Sequence, residues 1–310
     1  MEIYKPDQSA LWDLINRTRI TKDTMKDLTD FKSGPINFKI ALWNPHTNGV
    51  RYLKALLYCL CAVLTDENRE RLSRISNRET GNPFTIQYKG ERICLDYLQA
   101  IYELEFIARH VRLDGMHILE IGAGYGRTCH AILSNHDVAT YCIIDLQNCL
   151  ELSRRYLETV LDRAKFAKLC FLSAGDCDRW ADLCVDLCIN IDSFAEMDPG
   201  AVRYYLAYIN GNSRALYVKN PVGKYRDASL DNCSEGEESV RLALNAGILR
   251  DVIDVHDSEM IEAQAVRFVT AYRPGSDWEC LAHSWAMPWS HYWQAMYRKV
   301  GTSEAPSCGS

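Results

Sequence analysis

No stretch of this 310-residue chain is long and apolar enough to cross a bilayer; the longest apolar run, Ala55 to Leu64, is about half the length a hydrocarbon core requires. Positive charge is in deficit too. Lys and Arg number 35 against 41 Asp and Glu, a formal net charge of −6, so a nucleic acid would find no electrostatic footprint. Cys-x-x-Cys does not occur among the 13 cysteines, and their scatter through candidate core segments, as at Cys142, Cys170 and Cys188, offers no zinc-ligand spacing. The N-terminus lacks the pattern of a secretory signal, which predicts a cytoplasmic protein with reduced thiols. There is no internal repeat. What remains is a globular chain of ordinary composition, 47% hydrophobic and 25% charged. Its expected partner is a small molecule, and its oligomeric state, a homo-oligomer included, is open.

The texture changes once along the chain. Up to about Arg112 the pattern is helical, with Leu53, Leu56, Leu57, Leu60 and Leu64 on one face of 51–64 and Leu95, Leu98, Ile101, Leu104 and Ala108 on one face of 94–111. Gly81-Asn82-Pro83 and Lys89-Gly90 mark turns between them, and no strand stands out. From Met116 onward, strands at 117–121, 140–145, 168–173, 186–191 and 215–219 alternate with helices at 127–134, 149–163 and 198–209. Asp198 and Pro199 start the last of these helices. Such alternation predicts an α/β fold with a doubly wound, Rossmann-like sheet. Beyond it, 234–246 reads as a helix, and 252–256 and 265–272 as a closing pair of strands. The expected division is a mostly helical cap over 1–112 that meets the substrate, a ligand-binding domain over 113–300 and a loose tail over 301–310.

In a doubly wound sheet the ligand lies outside the carboxyl ends of the strands, and one such end is distinctive here. Residues 118–126 read Ile-Leu-Glu-Ile-Gly-Ala-Gly-Tyr-Gly, a buried strand that ends near an acid and turns through alternating glycines into a helix. A dinucleotide fingerprint would need a glycine where Arg127 stands. Glu120 in front of the loop would repel a pyrophosphate but suits an ammonium or sulfonium. S-adenosylmethionine (SAM) carries both and has no phosphate. Glu120, Gly122, Ala123, Gly124 and Tyr125 are therefore the first candidate cofactor contacts. Asp145 ends the second strand 23 residues past Gly122, the distance at which an acid commonly chelates a ribose diol. Asp176, after the third strand, is an acceptor for an adenine amino group or a cap for the next short helix.

Residues 120–126, then Ile144-Asp145-Leu146, then 189–197 (Ile-Asn-Ile-Asp-Ser-Phe-Ala-Glu-Met) and Asn220 resemble the SAM-dependent sugar O-methyltransferases. The similarity is clearest over 115–222, about a third of the chain. It implies a seven-stranded sheet with an antiparallel last strand, SAM as methyl donor with S-adenosylhomocysteine (SAH) as product, a helical N-terminal cap, and Leu146 and Asn190 as further cofactor residues.

Transfer from a sulfonium demands alignment and exclusion of water, and a hydroxyl acceptor also needs a base. Asp192 and Glu196, directly after the fourth strand, are the candidate catalytic pair; the alternative role for Asp192 is to cap the following turn, and for Glu196 to brace the loop. His46, His256, His283 and His291 are other bases within the chain. The aromatic segment from Trp285 to Tyr297 is weighed as a sugar-stacking surface against core or a subunit contact. Lys219 at the end of the fifth strand would repel a divalent cation, which predicts metal independence. The acidic stretch with Asp227, Asp231, Glu235, Glu237 and Glu238 reads as a solvated face or as a lid over a cationic acceptor. The expected activity is O- or N-methylation of a sugar or aminosugar moiety, of the natural-product, aminoglycoside or antibiotic type. A non-sugar acceptor, an NAD-linked oxidoreductase and a SAM-binding protein without catalysis are the alternatives; the absent Tyr-x-x-x-Lys pair weighs against the oxidoreductase.

Overall fold

The computed structural model describes residues 10–18, 21, 43–180, 183–231 and 236–301. The expected tail beyond Gly301 and the start of the helix expected at 234–246 lie outside them. The chain divides into two compact units, Met1–Ala62 and Val63–Ser310. In the first lie α1 (Ala10–Thr18) and most of α2 (Gly49–Val63). The turn before α2 is held by the Tyr52 hydroxyl, which donates to the Trp43 carbonyl at 2.7 Å, and by the Arg51 guanidinium over the Trp43 ring.

The second unit opens with α3 (Asp66–Ser73), capped by Thr65, then a hairpin of β1 (Thr85–Tyr88) and β2 (Glu91–Cys94), then α4 (Leu95–Ala108). The hairpin corrects the expectation of no strand before 112: Lys89 and Gly90, both at positive φ, make its two-residue turn. The alternating part follows as β3 (His117–Ile121), α5 (Arg127–Asn135), β4 (Thr140–Asp145), α6 (Gln147–Val160), α7 (Arg163–Phe166), β5 (Leu169–Ser173), α8 (Cys177–Trp180), β6 (Val185–Ile191), α9 (Pro199–Asn212) and β7 (Ser213–Pro221). The helix expected at 149–163 is split because Asp162 caps a new start, its carboxylate accepting from the Lys165 amide at 2.9 Å. Asp198 caps α9 as expected.

The chain ends with α10 (Ala228–Asp231), α11 (Gly236–Asn245), α12 (Ser258–Ala271), β8 (Trp278–Trp285) and β9 (Tyr292–Lys299). Two expectations fail here. Residues 265–271 belong to α12 and Tyr272 caps its end, so the segment is not a strand: Ile261, Ala265 and Phe268 are buried at helical spacing, while Val266, which lent the run its β-like look, is exposed. Residues 252–256 make only an isolated bridge, Lys224 to Val252. The closing strands are instead the aromatic segments, with Ala295, Met296 and Tyr297 fully buried in β9. Burial on both faces erased the alternation that betrays a strand.

Seven strands form one sheet in the order β5-β4-β3-β6-β7-β9-β8. All are parallel except β9, which runs antiparallel to β7 and β8. This is a doubly wound, Rossmann-like sheet with an antiparallel last strand. Leu119, Ile121, Cys188 and Val218 pack on one face beneath α9 and α12. Ile118, Ile143, Ile189 and Tyr217 pack on the other beneath α4, α5 and α6. Fully burying each large aliphatic contributes about 1.5–3 kcal/mol, so the central strands hold the frame on which the loops hang. Strand period two puts Glu120, Asp145 and Lys219 on the α4–α5 face of the sheet, at the carboxyl ends of their strands.

Candidate functional site

The turn after β3 is clamped to the turn after β6. Gly122 has φ +75°, and a Cβ there would sit 2.1 Å from the Ser193 hydroxyl oxygen, so only glycine allows the approach. The Ser193 hydroxyl donates to the Ile121 carbonyl at 3.1 Å. The Asn190 amide donates to that carbonyl at 3.0 Å and to the Ser193 hydroxyl at 2.6 Å. Asn220 in turn donates to the Asn190 carbonyl oxygen at 2.8 Å and accepts from the Ala195 amide at 3.1 Å. Asn190 and Asn220 are both wholly buried. Asn190 therefore reaches no cavity: its amide is spent on joining the loops. Asp145 faces the same turn, accepting from the Gly124 amide at 2.9 Å and the Leu146 amide at 2.7 Å. Leu146, beside it, is 69% exposed.

Below the turn opens a cavity of about 330 Å³. Its walls include Glu120, Gly122, Ala123, Gly124 and Tyr125 from the glycine turn, Asp96 and Gln99 from α4, Lys219 from β7, and Asp192, Trp289 and Tyr292. Glu120 is buried and accepts from the Tyr141 hydroxyl at 2.8 Å. Burial raises its carboxyl to about 7, against the hydroxyls of Tyr141 and Thr128 and the Arg127 charge, with Glu103 adding to the rise. Tyr125 stacks edge-on against Tyr156 at 4.9 Å, and its hydroxyl is 3.3 Å from Asp96.

A buried ion cluster underlies this cavity, and sequence reading missed it. Arg127 donates twice to Glu103, at 2.9 and 2.8 Å, and the Lys219 ammonium donates to the same carboxylate at 2.7 Å. Two cations hold the Glu103 carboxyl below its usual range despite the opposing effect of burial. Trp289 donates to Gln99 at 2.9 Å, which ties the β8–β9 loop to α4. The signal was present in α4, where Asp96, Gln99 and Glu103 fall on one face of an otherwise apolar helix.

Asp192 follows β6 at φ +68°, a strained conformation for a non-glycine residue. Its side chain caps no turn; it accepts from the Tyr292 hydroxyl at 2.7 Å. Asp192 and Tyr292 also line a second cavity, of about 400 Å³, together with Glu196, Lys224, Tyr225, His291 and, from α11, Ser239, Val240, Ala243 and Leu244. The two cavities thus share one wall. Glu196 stands at the mouth of the second, its carboxyl raised by burial and by Asp192 and lowered by Lys224; among the described residues nothing hydrogen-bonds it. The Lys224 ammonium donates to the Ala195 carbonyl at 2.7 Å, and burial lowers its pKa, against the pull of Glu196 and Asp192. Burial and the neighbouring His256 push His291 down to about 4, and its Nδ1 is buried without a partner.

Asp176, His256 and His283 line neither cavity. Asp176 is exposed, 3.8 Å from Arg179. His256 and His283 are exposed, and His283 Nδ1 accepts from the Trp293 indole at 3.1 Å; His46 is an exposed loop residue of the first unit. Among the described residues no group of three or more His, Cys, Asp or Glu is placed to hold a metal, and no helix is long and apolar enough to cross a membrane. The exposed side of α11 carries Glu237 and Glu238, the latter paired with Arg241 at 2.7 Å; Glu235 of the same acidic stretch lies outside the described residues.

No protein-family model matches the chain, and no curated protein does. Solved structures similar to it include an O-methyltransferase family 2 protein from Planctomyces limnophilus DSM 3776 in complex with apigenin, at 14% identity and TM-score 0.43 over 66% of this chain and 58% of that one. The methyltransferase domain of bacterial CtHen1 follows at 13% identity and TM-score 0.45, over 64% of this chain and 99% of that one. An O-methyltransferase from Bacillus cereus in complex with SAH shows 10% identity and TM-score 0.43, over 81% of this chain and all (100%) of that one. At these identities and scores the neighbours carry no argument about the chemistry of this chain.

Proposed function

We propose that the protein is a SAM-dependent methyltransferase whose acceptor is a hydroxyl or amino group of a small sugar-like molecule. The observation that carries the reading is the glycine turn itself: a buried carboxylate in front of it, Asp145 hydrogen-bonded to its Gly124 amide, and a cavity directly below. That donor set fits a ligand with a cationic amino-acid end and a ribose, and repels a pyrophosphate.

SAM, when bound, supplies a methyl group on a positively charged sulfur. In this reading Glu120 and the Gly122–Gly124 backbone hold its amino-acid end, Asp145 takes the ribose hydroxyls, and exposed Leu146 covers the base. Asp176 is kept as a contact for the adenine amino group. Asn190 acts at one remove, by fixing the turn. The second cavity is the acceptor's place. Asp192, in the wall between the cavities, takes the acceptor proton, and the Tyr292 hydroxyl fixes which oxygen of Asp192 is free to do so. Lys219, paired to Glu103, keeps a positive charge where a divalent cation would otherwise be held, which supports metal independence. Residues 113–300 are the catalytic domain in this proposal.

Calorimetry with SAH, SAM and NAD tests it: micromolar binding of the first two and none of NAD is expected. Absence of SAH binding overturns the reading. Mass spectrometry with SAM and a panel of sugars, nucleotide sugars, aminoglycosides and phenols then identifies the acceptor class by the gain of one methyl.

A further inference from the structure

We infer that the second cavity binds an ammonium group carried on a ring-sized, partly apolar body. The inference deepens the reading of that cavity as the acceptor's place and rests on it for the ligand's role, though not for its binding. Charge makes the first argument. The titratable groups facing the cavity are Asp192, Glu196, Lys224, His291, Tyr225 and Tyr292. His291 is neutral at physiological pH, and burial pushes Tyr292 above its ordinary range. Two carboxylates therefore face one ammonium, and the Lys224 ammonium already donates to the Ala195 carbonyl. The carboxylates outnumber the ammonium by one on this wall, with Asp192 half-buried and Glu196 exposed. A ligand cation matches that excess as a hydroxyl does not.

The wall chemistry makes the second. The His291 ring meets Tyr292 edge-on at 5.1 Å and Tyr225 edge-on at 5.9 Å, so three rings of the lining stand together. Rings and carboxylates together are the combination that receives ammonium ions in water. On the α11 side the lining is Ser239, Val240, Ala243 and Leu244, a mostly apolar surface that suits a carbocyclic or sugar ring face rather than a second charge. A recess of about 400 Å³ holds one or two such rings.

Matched probes on the full chain test the inference. Cyclohexylamine against cyclohexanol, and glucosamine against glucose, are titrated by saturation-transfer NMR with and without SAH. Each amine is expected to bind about tenfold more tightly than its alcohol partner, the worth of one charge-assisted contact. Glu196→Gln and Asp192→Asn should each erase most of that preference, and Leu244→Trp should block both probes by filling the cavity. Unchanged SAH affinity in Glu196→Gln and Leu244→Trp, and an unchanged melting temperature in all three variants, show that the fold persists. Equal affinity for amine and alcohol, or a preference that survives both acid substitutions, overturns the inference. Amine preference without SAH binding keeps the inference and sinks the methyltransferase reading; SAH binding without amine preference does the reverse.

Discussion

Glu120 shows how one residue couples burial to ligand charge. Its carboxyl is raised from 4.5 to about 7 because it is buried, so between those values the folded chain binds a proton that the unfolded chain has released. Stability of the free protein therefore falls as pH rises from about 4.5 to about 7. A ligand ammonium beside Glu120 favours the ionised form. SAH binding is expected to tighten over the same pH interval and to release a proton, which calorimetry in buffers of different ionisation heat measures directly. Glu120→Gln should flatten both trends; an unchanged pH profile in that variant would remove Glu120 from the site. Asp192 is the second residue with its own test. Asp192→Asn should leave SAH affinity near wild type while turnover drops by about 10²–10⁴, the usual worth of a general base. Full turnover would assign the proton to another group.

At the scale of elements, the glycine turn and the turn after β6 behave as one unit. Gly122→Ala must displace Ser193, which would otherwise lie 2.1 Å from the new methyl, and must also hold alanine at positive φ, a strain of about 1–3 kcal/mol. The expected outcome is a lower melting temperature together with lost SAH binding; retention of both would mean that the turns are not clamped as described. The alternating strands and helices from 117 to 221 were legible in the sequence because each strand is a short apolar run bounded by a helix start or a turn. The element at 258–271 was not. Its Val266-Arg267-Phe268-Val269 run is β-branched and aromatic, yet Asp257 caps it and only one face meets the core. The closing strands were hidden for the opposite reason: β9 is sandwiched between β7 and β8 and buried through its middle, so it shows no alternation.

At the scale of the whole molecule, the cluster of Glu103, Arg127 and Lys219 joins α4, the start of α5 and the end of β7. Glu103→Gln leaves two buried cations without a counter-charge and should cost about 3–5 kcal/mol, read as a shift in the urea midpoint. Replacing Lys219 with methionine in the same chain should recover part of that loss. No change in the single variant would show that water reaches the cluster. By itself the sequence determined the doubly wound sheet and the acid-glycine turn at the carboxyl edge of its strands, because these depend on local periodicity and on residues adjacent along the chain. Tertiary structure alone decided which distant groups share the site: Asp96, Gln99 and Glu103 come from α4, Trp289 and Tyr292 from the last hairpin, and Lys224 and His291 from loops of the second cavity. Their meeting is set by strand order and helix packing, which bring together residues up to 190 positions apart, as in the Trp289–Gln99 bond. No spacing rule within the chain encodes such a contact.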